Sequence, residues 1–424
     1  MESLLKLLLL LFITVCHRVL AATPSSPPPS SAPSYPEEAL PTKSGYLTVN
    51  STTGSAIFYA FYEAQTSYNK TPISESPILI WLQGGPGCSS MLGNLREVGP
   101  WILNQELTLE ANPGSWNQIF GLVFLDNPIG TGFSIARSNQ EIPRNQYDIA
   151  KHLFIAIQKF IALDKSFKNR PIYLTGESYA GKYIPALGYY IIKMNSQLPK
   201  ESRVNLRGVA IGNGLTDPEI QVSTHAINSF YLGLINEKQT ALLEKLQMNT
   251  IGFIRRGKWS EATDARNRVL DTLTNITGLA TLYDYRRLIP YQNGVVDKFF
   301  EQCRGEEGVR SEGRQIFREV QQCGEWCVAR GCDEEREGQR DLKDGVPSTL
   351  AWVKTMRWDG IPGFLEAERK VWRVDGKLAG YVQKWKSLSH VVVLNAGHLM
   401  PSDQPVNSQV MIQDWLLERG LFAS

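Results

Sequence analysis

The chain has 424 residues, of which 42% are hydrophobic and 10% aromatic, so it can bury a sizeable core and has no overall signature of disorder. Lysine plus arginine number 44, and aspartate plus glutamate number 42. This near balance of charge excludes the strong field that would favour nucleic acid or a membrane surface as a partner.

The first 22 residues have the pattern of a secretory signal peptide. An apolar stretch covers Leu7–Val15, and the small residues of Val19–Ala22 suit signal peptidase. A membrane anchor is the alternative, but His17-Arg18 interrupts the apolar stretch, which is shorter than the roughly 20 residues that a span needs. We therefore expect a secreted protein with no membrane attachment once residues 1–22 are removed.

Two further features fit an exported protein. Three sequons provide glycosylation sites, at Asn50, Asn69 and Asn275. Five cysteines remain after signal cleavage, an odd number that leaves at least one thiol free or in an intermolecular bond. We expect Cys88 to form a disulfide with one of the later four, which are Cys303, Cys323, Cys327 and Cys332.

A zinc site is the alternative for the last three cysteines. Their spacing, Cys323-x3-Cys327-x4-Cys332, lacks a paired motif, and no histidine lies nearby. We therefore predict no metal.

A tail rich in proline and serine, residues 23–39, precedes a single domain over residues 40–424. Residues 46–49 and 56–63 have the alternation of an antiparallel pair of strands. The pattern then changes to short apolar runs separated by helical periodicity, which predicts an α/β fold with a mostly parallel sheet covered on both faces. The apolar runs are Ile78–Leu82, Leu122–Leu125, Ile172–Leu174, Arg207–Ile211 and Val391–Leu394, and the clearest helices are Asn145–Leu163 and Gly181–Met194. Residues of about 218–290 are mostly helical and predict a cap inserted on the sheet.

The stretch Gly176-Glu-Ser-Tyr-Ala-Gly181 is close to a nucleophile elbow, with its second glycine displaced by one residue. A strand that turns sharply into a helix holds Ser178 out over the edge of the sheet, where its hydroxyl can attack a carbonyl. The glycines that follow strand 78–82 free backbone N–H groups, so Gly85 and Tyr179 are the predicted oxyanion hole.

The base is found by elimination among five histidines. His398 lies just beyond the predicted strand Val391–Leu394, whereas the other four lie in the signal, before Ser178, in the cap or at a strand start. The acid that orients the base should lie between Ser178 and His398 in the chain. Asp341 is the best placed candidate and Asp344 the second.

Three segments together resemble the signature regions of the serine carboxypeptidase family: WLQGGPGCSS, LTGESYAGKYIP and LNAGHLMPSDQP. The resemblance covers roughly residues 40–297 and 338–424. It implies an α/β-hydrolase fold, no cofactor, and release of the carboxyl-terminal residue of peptides at acidic pH. It also implies Ser178 as nucleophile, His398 as base and Asp341 as its partner.

In this family the substrate's terminal carboxylate is bound by three positions, which here are Gln83, Glu97 and Glu177. Two neighbouring carboxyls cannot both ionise cheaply, so one keeps a proton and donates it in a hydrogen bond to the substrate. Gln83 departs from the asparagine that is usual in the family, but it keeps the amide with a reach one carbon longer. We expect carboxylate binding to survive this change.

Residues 298–338 depart from the family more seriously, since 17 of these 41 residues are charged. The apolar strand that should lead into Asp341 is absent from the pattern. A missing exon, splice variant or shifted frame within about Arg318–Glu337 is one explanation, and a divergent insertion is the other.

Three functions follow from these patterns. The first is a secreted serine carboxypeptidase that acts on peptides through an acyl-enzyme at Ser178. The second is an acyltransferase that uses the same residues with a sugar-ester donor. The third is a catalytically impaired, peptide-binding relative, because residues 298–338 are atypical. Oligomeric state is not predicted.

Overall fold

The computed structural model describes residues 37–305 and 339–423. The predicted signal peptide, most of the 23–39 tail and the three cysteines weighed as a zinc site lie outside these residues. Within the described part, no helix is long and apolar enough to cross a membrane.

Six strands form the main sheet in the order β1-β2-β6-β3-β7-β8. The central strands β6, β3, β7 and β8 are parallel, whereas β1 and β2 run antiparallel to their neighbours. The predicted apolar runs become β3, β6, β7 and β8, and the predicted antiparallel pair becomes β1 and β2. The strands are β1 Lys43–Asn50, β2 Ser55–Tyr62, β3 Ile78–Leu82, β6 Gly121–Leu125, β7 Ile172–Glu177 and β8 Leu206–Gly212.

Helices cover both faces of this sheet, as its apolar runs require. Every residue of β3 and β6 is buried, and alternate residues point to opposite faces. Ile78, Ile80 and Leu82 lie in one core with α2 (Gln146–Ala162) and α3 (Ala180–Asn195). Leu79 and Trp81 lie in the other core with α12 (Pro405–Leu416).

Four helices follow β8 within the interval predicted as a cap, and local signals fix their ends. Asp217 accepts hydrogen bonds from the first turn of α4, and Pro218 begins that helix. Asn236 and Gln239 form a capping box on α6. Gly278 ends α7 with a left-handed backbone. The helices are α4 Pro218–Val222, α5 His225–Tyr231, α6 Glu237–Arg255 and α7 Trp259–Thr277.

One part of the sheet prediction is wrong. The run Val391–Leu394 belongs to β11 (Leu388–Val393), which lies in a separate antiparallel sheet with β9 (Arg369–Val374) and β10 (Lys377–Trp385). The reason is a hairpin turn at residues 375–376, which the pattern of apolar runs does not indicate. Asp375 and Gly376 both have positive φ, which a two-residue hairpin turn requires, so β9 and β10 are adjacent and antiparallel.

The remaining described elements are short. They are β4 Trp101–Leu103, β5 Leu109–Ala111, α1 Met91–Arg96, α8 Gly294–Gly305, α9 Val346–Val353, α10 Ile361–Glu366 and α11 Met400–Asp403.

Candidate active site

Ser178 lies in a tight turn between β7 and α3, and its φ of 59° is in the left-handed region. Glycine is needed on each side because backbone passes close by. A Cβ on Gly176 would lie 2.2 Å from the carbonyl oxygen of Leu82, and one on Gly181 would lie 2.8 Å from Cα of Gly214. The displaced second glycine of the motif therefore has a packing reason, and the turn holds the serine in a conformation that costs about 1–3 kcal/mol.

His398 and Asp341 are joined by a hydrogen bond between Nδ1 of the imidazole and Oδ2 of the carboxylate. Both side chains are fully buried. Because the carboxylate accepts this bond, Nδ1 carries the proton and Nε2 of a neutral imidazole has a lone pair to accept one. The second oxygen of Asp341 accepts a hydrogen bond of 2.5 Å from the backbone N–H of Lys343.

Asp344, the second candidate acid, has another partner. Its carboxylate lies 3.3 Å from the guanidinium of Arg266 on cap helix α7. The structure therefore brings Asp341, and not Asp344, to His398.

A short segment, residues 282–285, lies between the acid and the base, and we call it the strap. The N–H of Leu342 donates to Leu282 O at 2.9 Å, and the N–H of His398 donates to Tyr283 O at 2.9 Å. The N–H of Tyr285 donates to Arg340 O at 3.2 Å. The strap is therefore hydrogen-bonded to the residues on both sides of Asp341 and to His398, and it holds the acid beside the base. Residues 318–337, where the sequence predicts a lost or divergent strand, lie outside the described residues.

The loop after β8 joins the nucleophile to the base. The N–H of Leu215 donates to Ser178 O at 3.0 Å, and the side-chain amide of Asn213 donates to His398 O at 3.3 Å. Ser178, His398 and Asp341 are thus tied to one network of loops at the carboxyl ends of the strands.

The loop that contains Gly85 packs beside the nucleophile. A Cβ on Gly84 would lie 2.6 Å from Cβ of Ser178 and 2.7 Å from the backbone nitrogen of Tyr179, so this loop packs directly on the elbow. Gly85 follows with φ of 106°, a conformation that favours glycine. Tyr179 immediately precedes α3, whose N-terminal N–H groups favour negative charge.

Gln83, Glu97 and Glu177 form a buried cluster, as predicted for the carboxylate-binding group. The amide nitrogen of Gln83 lies 2.8 Å from Glu177 Oε1 and 3.4 Å from Glu97 Oε1. The indole N–H of Trp81 donates to Gln83 Oε1 at 2.9 Å, which fixes the orientation of the amide. One amide group therefore holds two carboxyl groups close together.

Comparison with known proteins identifies the family. The model of the serine carboxypeptidase family matches residues 33–322 and 336–418. The chain belongs to the serine carboxypeptidase family. The family match includes residues 298–322 and 336–338, so the departure predicted over 298–338 is too wide. The unmatched interval, residues 323–335, lies within the segment 318–337 for which the sequence predicts a lost or divergent stretch.

Relatives in this family align along nearly the whole chain. Serine carboxypeptidase-like 50 of Arabidopsis thaliana is 49% identical, covering 97% of this chain and 95% of its own length. The probable serine carboxypeptidase CPVL of Homo sapiens is 31% identical, covering 91% and 85%. The crystal structure of Kex1(delta)p, a prohormone-processing carboxypeptidase from Saccharomyces cerevisiae, superposes with a TM-score of 0.72 at 23% identity, covering 92% and 97%. The predicted α/β-hydrolase fold is confirmed.

Asp126 is a residue of this carboxypeptidase that was not predicted, although it directly follows the predicted strand Leu122–Leu125. Its buried carboxylate accepts from Ser89 Oγ at 2.8 Å, Ser90 N at 2.7 Å and Phe133 N at 2.8 Å. It therefore fastens the end of the glycine loop to the loop after β6. Burial raises the pKa of Asp126 to about 6, because desolvation outweighs the three hydrogen bonds.

The Asp126→Asn variant should change how stability depends on pH. The folded protein binds this proton more tightly than the unfolded chain, so the stabilisation is complete below about pH 4 and is lost as pH rises through about 6. From pH 4 to pH 7 the wild type should lose about 2 kcal/mol that the variant keeps. Urea unfolding at both pH values, with the exposed Asp264→Asn as control, measures this, and parallel curves for wild type and Asp126→Asn would refute the role.

Two further residues that support His398 were not predicted. The ring of Tyr283 lies 5.3 Å from the imidazole, and nothing in the sequence around it marks this role. Asp403 accepts from the N–H of Gly397 at 2.7 Å and from the hydroxyl of Tyr291 at 2.7 Å. Asp403 lies inside the family segment LNAGHLMPSDQP, but the sequence of this segment does not indicate that Asp403 supports His398.

The remaining predicted sites are outside this cluster. Cys88 is disulfide-bonded, and its partner lies outside the side chains that the structure describes. Asn69 and Asn275 are exposed, whereas Asn50 is half-buried and accepts from the N–H of Thr52. Among residues 37–305 and 339–423, no cluster of histidine, cysteine or acidic side chains could hold a metal ion.

Proposed function

We propose that the protein releases the carboxyl-terminal residue of peptides through an acyl-enzyme on Ser178. The observation that carries this proposal is the buried hydrogen bond between His398 and Asp341, tied by one loop to the strained Ser178. The family and its relatives bear the name of carboxypeptidases, which favours hydrolysis over the acyltransferase alternative.

The reaction follows from the roles of these groups. Ser178 Oγ bonds to the last peptide carbonyl carbon while His398 Nε2 takes the hydroxyl proton. The N–H groups of Gly85 and Tyr179 stabilise the resulting oxyanion. His398 returns the proton to the departing amine as the C–N bond breaks, then takes a proton from the water that attacks the ester. That proton passes to Ser178 Oγ as the ester C–O bond breaks and the shortened peptide leaves as its acid. Asp341 keeps Nδ1 protonated and stabilises the imidazolium.

Gln83, Glu97 and Glu177 would select for a free terminal carboxylate. Two carboxyls held by one amide share a proton at acidic pH, because both ionise only at a high electrostatic cost. The shared proton can then donate a hydrogen bond to the substrate, and the Gln83 amide, whose two N–H groups donate to Glu97 and Glu177, keeps these carboxyls in position. Loss of that proton would leave two negatively charged carboxylates, Glu97 and Glu177, facing the negatively charged carboxylate of the substrate.

We also propose that the enzyme is secreted and glycosylated, in an extracellular or vacuolar compartment. The apolar segment at residues 7–15, the exposed sequons at Asn69 and Asn275, and the disulfide at Cys88 support this proposal.

Covalent labelling with a fluorophosphonate tests the proposal. An active enzyme should label at Ser178 and release one residue from an N-blocked dipeptide. Transfer from a glucose ester to an alcohol, without peptide release, would favour the acyltransferase. Folded protein that neither labels nor turns over either substrate would be the impaired relative.

Peptidase activity should fall as pH rises from acidic to neutral, because KM increases when the shared proton is lost. The Glu177→Gln variant removes one of the two ionisable carboxyls, so its KM should be several-fold higher at acidic pH and rise less toward neutral pH. KM for an N-blocked dipeptide from pH 4.5 to 8 measures both effects. The same dipeptide as an amide is the matched control, and its KM should not show this pH dependence. Equally strong activity at pH 8 would contradict the pairing of Glu97 with Glu177.

A further inference from the structure

Three helices of the predicted cap contact the segment that carries Asp341. We call residues 341–348 the acid segment. From α5, His225 Nδ1 donates to Leu342 O at 3.2 Å. From α4, the amide of Gln221 donates to Ser348 Oγ at 2.8 Å. From α7, Arg266 pairs with Asp344.

The contact is also apolar. Leu342, the residue after the acid, is 1% exposed and belongs to the hydrophobic cluster of the cap, which contains Val222, Leu243 and Val269. The acid therefore lies next to a side chain that is part of the cap core. These contacts and the strap hold the residues on both sides of Asp341.

The ion pair between Arg266 and Asp344 is the strongest charged element of this contact. Asp344 is 2% exposed, and the guanidinium contacts both of its carboxylate oxygens, at 3.3 and 3.5 Å. Asp344 N also donates to Asp341 Oδ1 at 3.4 Å, so Asp344 is held on one side by the cap and reaches the acid on the other. Burial, with Arg266 close by, lowers the pKa of Lys343 well below its usual range. Arg266 and Asp344, rather than Lys343, therefore supply the charges of this contact.

We propose that Arg266 is a positioning residue for the reaction: through Asp344 it fixes the acid segment, and so aligns Asp341 with His398. This inference rests on the proposed function of Asp341. A misplacement of about 1 Å in a catalytic group can cost roughly 100-fold in rate, so the ion pair affects kcat although Arg266 touches no reacting atom.

Two variants separate positioning from stability. Arg266→Met leaves the Asp344 carboxylate buried and unpaired, so it should lower both the thermal midpoint and kcat. The double variant Arg266→Gln with Asp344→Asn removes both charges and should recover the thermal midpoint. Arg255→Met, which breaks the exposed cap pair with Glu219, is the matched control.

We expect kcat for the blocked dipeptide to fall roughly ten- to a hundredfold in Arg266→Met and in the double variant, with KM nearly unchanged. The acidic limb of the kcat/KM profile should move to lower pH in both, because a displaced carboxylate stabilises the His398 imidazolium less. The control should match the wild type in every measurement. A stable double variant with wild-type kcat and pH profile would overturn the proposal. If Arg266→Met does not fold, the kcat and pH profile of the double variant alone test the proposal. Failure of the proposed function would show separately, as an inactive wild type.

Discussion

Replacement of Ser178 by alanine should lower kcat for peptide release by about 10⁶-fold and abolish fluorophosphonate labelling. The reason is that this substitution removes the hydroxyl that attacks the peptide carbonyl, so the acyl-enzyme cannot form. Peptide mapping of the labelled wild type and single-turnover kinetics of the variant measure both effects.

Ser196→Ala, which removes an exposed hydroxyl just after α3, is the matched control and should behave as the wild type. Labelling that persists in folded Ser178→Ala would show that another residue is the nucleophile.

Replacement of Asp341 by asparagine should lower kcat by about 10⁴-fold without unfolding the protein. An amide has nearly the shape of the carboxylate, but it cannot stabilise the imidazolium and can donate a hydrogen bond to Nδ1, which favours the wrong tautomer of His398. Steady-state kinetics near the optimal pH and a thermal melt of each protein measure the change.

Asp375→Asn, in the exposed hairpin turn between β9 and β10, is the control and should retain full activity. A wild type no faster than Asp341→Asn would mean that the acid does not act, which is the impaired relative considered from the sequence.

The sequence predicts the central sheet and the elbow well because both depend on local patterns. A short apolar run such as Ile78–Leu82 is typical of an inner strand. A serine between closely packed glycines at the end of a strand is typical of a nucleophile elbow. Strand ends and family motifs indicate Ser178 and His398, and the structure connects both of them, and Asp341, to one network of hydrogen-bonded loops.

What could not be predicted depends on contacts between distant residues. No sequence pattern links Leu282 and Tyr283 to Leu342 and His398, because the strap acts through backbone hydrogen bonds that any residue type can form. For the same reason the positions of Asp341 and Asp344 in the chain do not distinguish them, whereas the structure pairs Asp341 with His398 and Asp344 with Arg266. The Asp375-Gly376 turn, in contrast, was a local signal that could have corrected the placement of β11.

The left-handed backbone at Ser178 lowers the stability of the folded enzyme while it places the hydroxyl for catalysis. Glycine adopts a φ of 59° without the penalty that a Cβ brings, so a residue chosen for stability alone would have no side chain there. The hydroxyl is retained in a position that the fold itself disfavours. The packing of β7 and α3 offsets the free energy of that strain. A mutation that loosens this packing therefore lets the turn relax, and activity is lost.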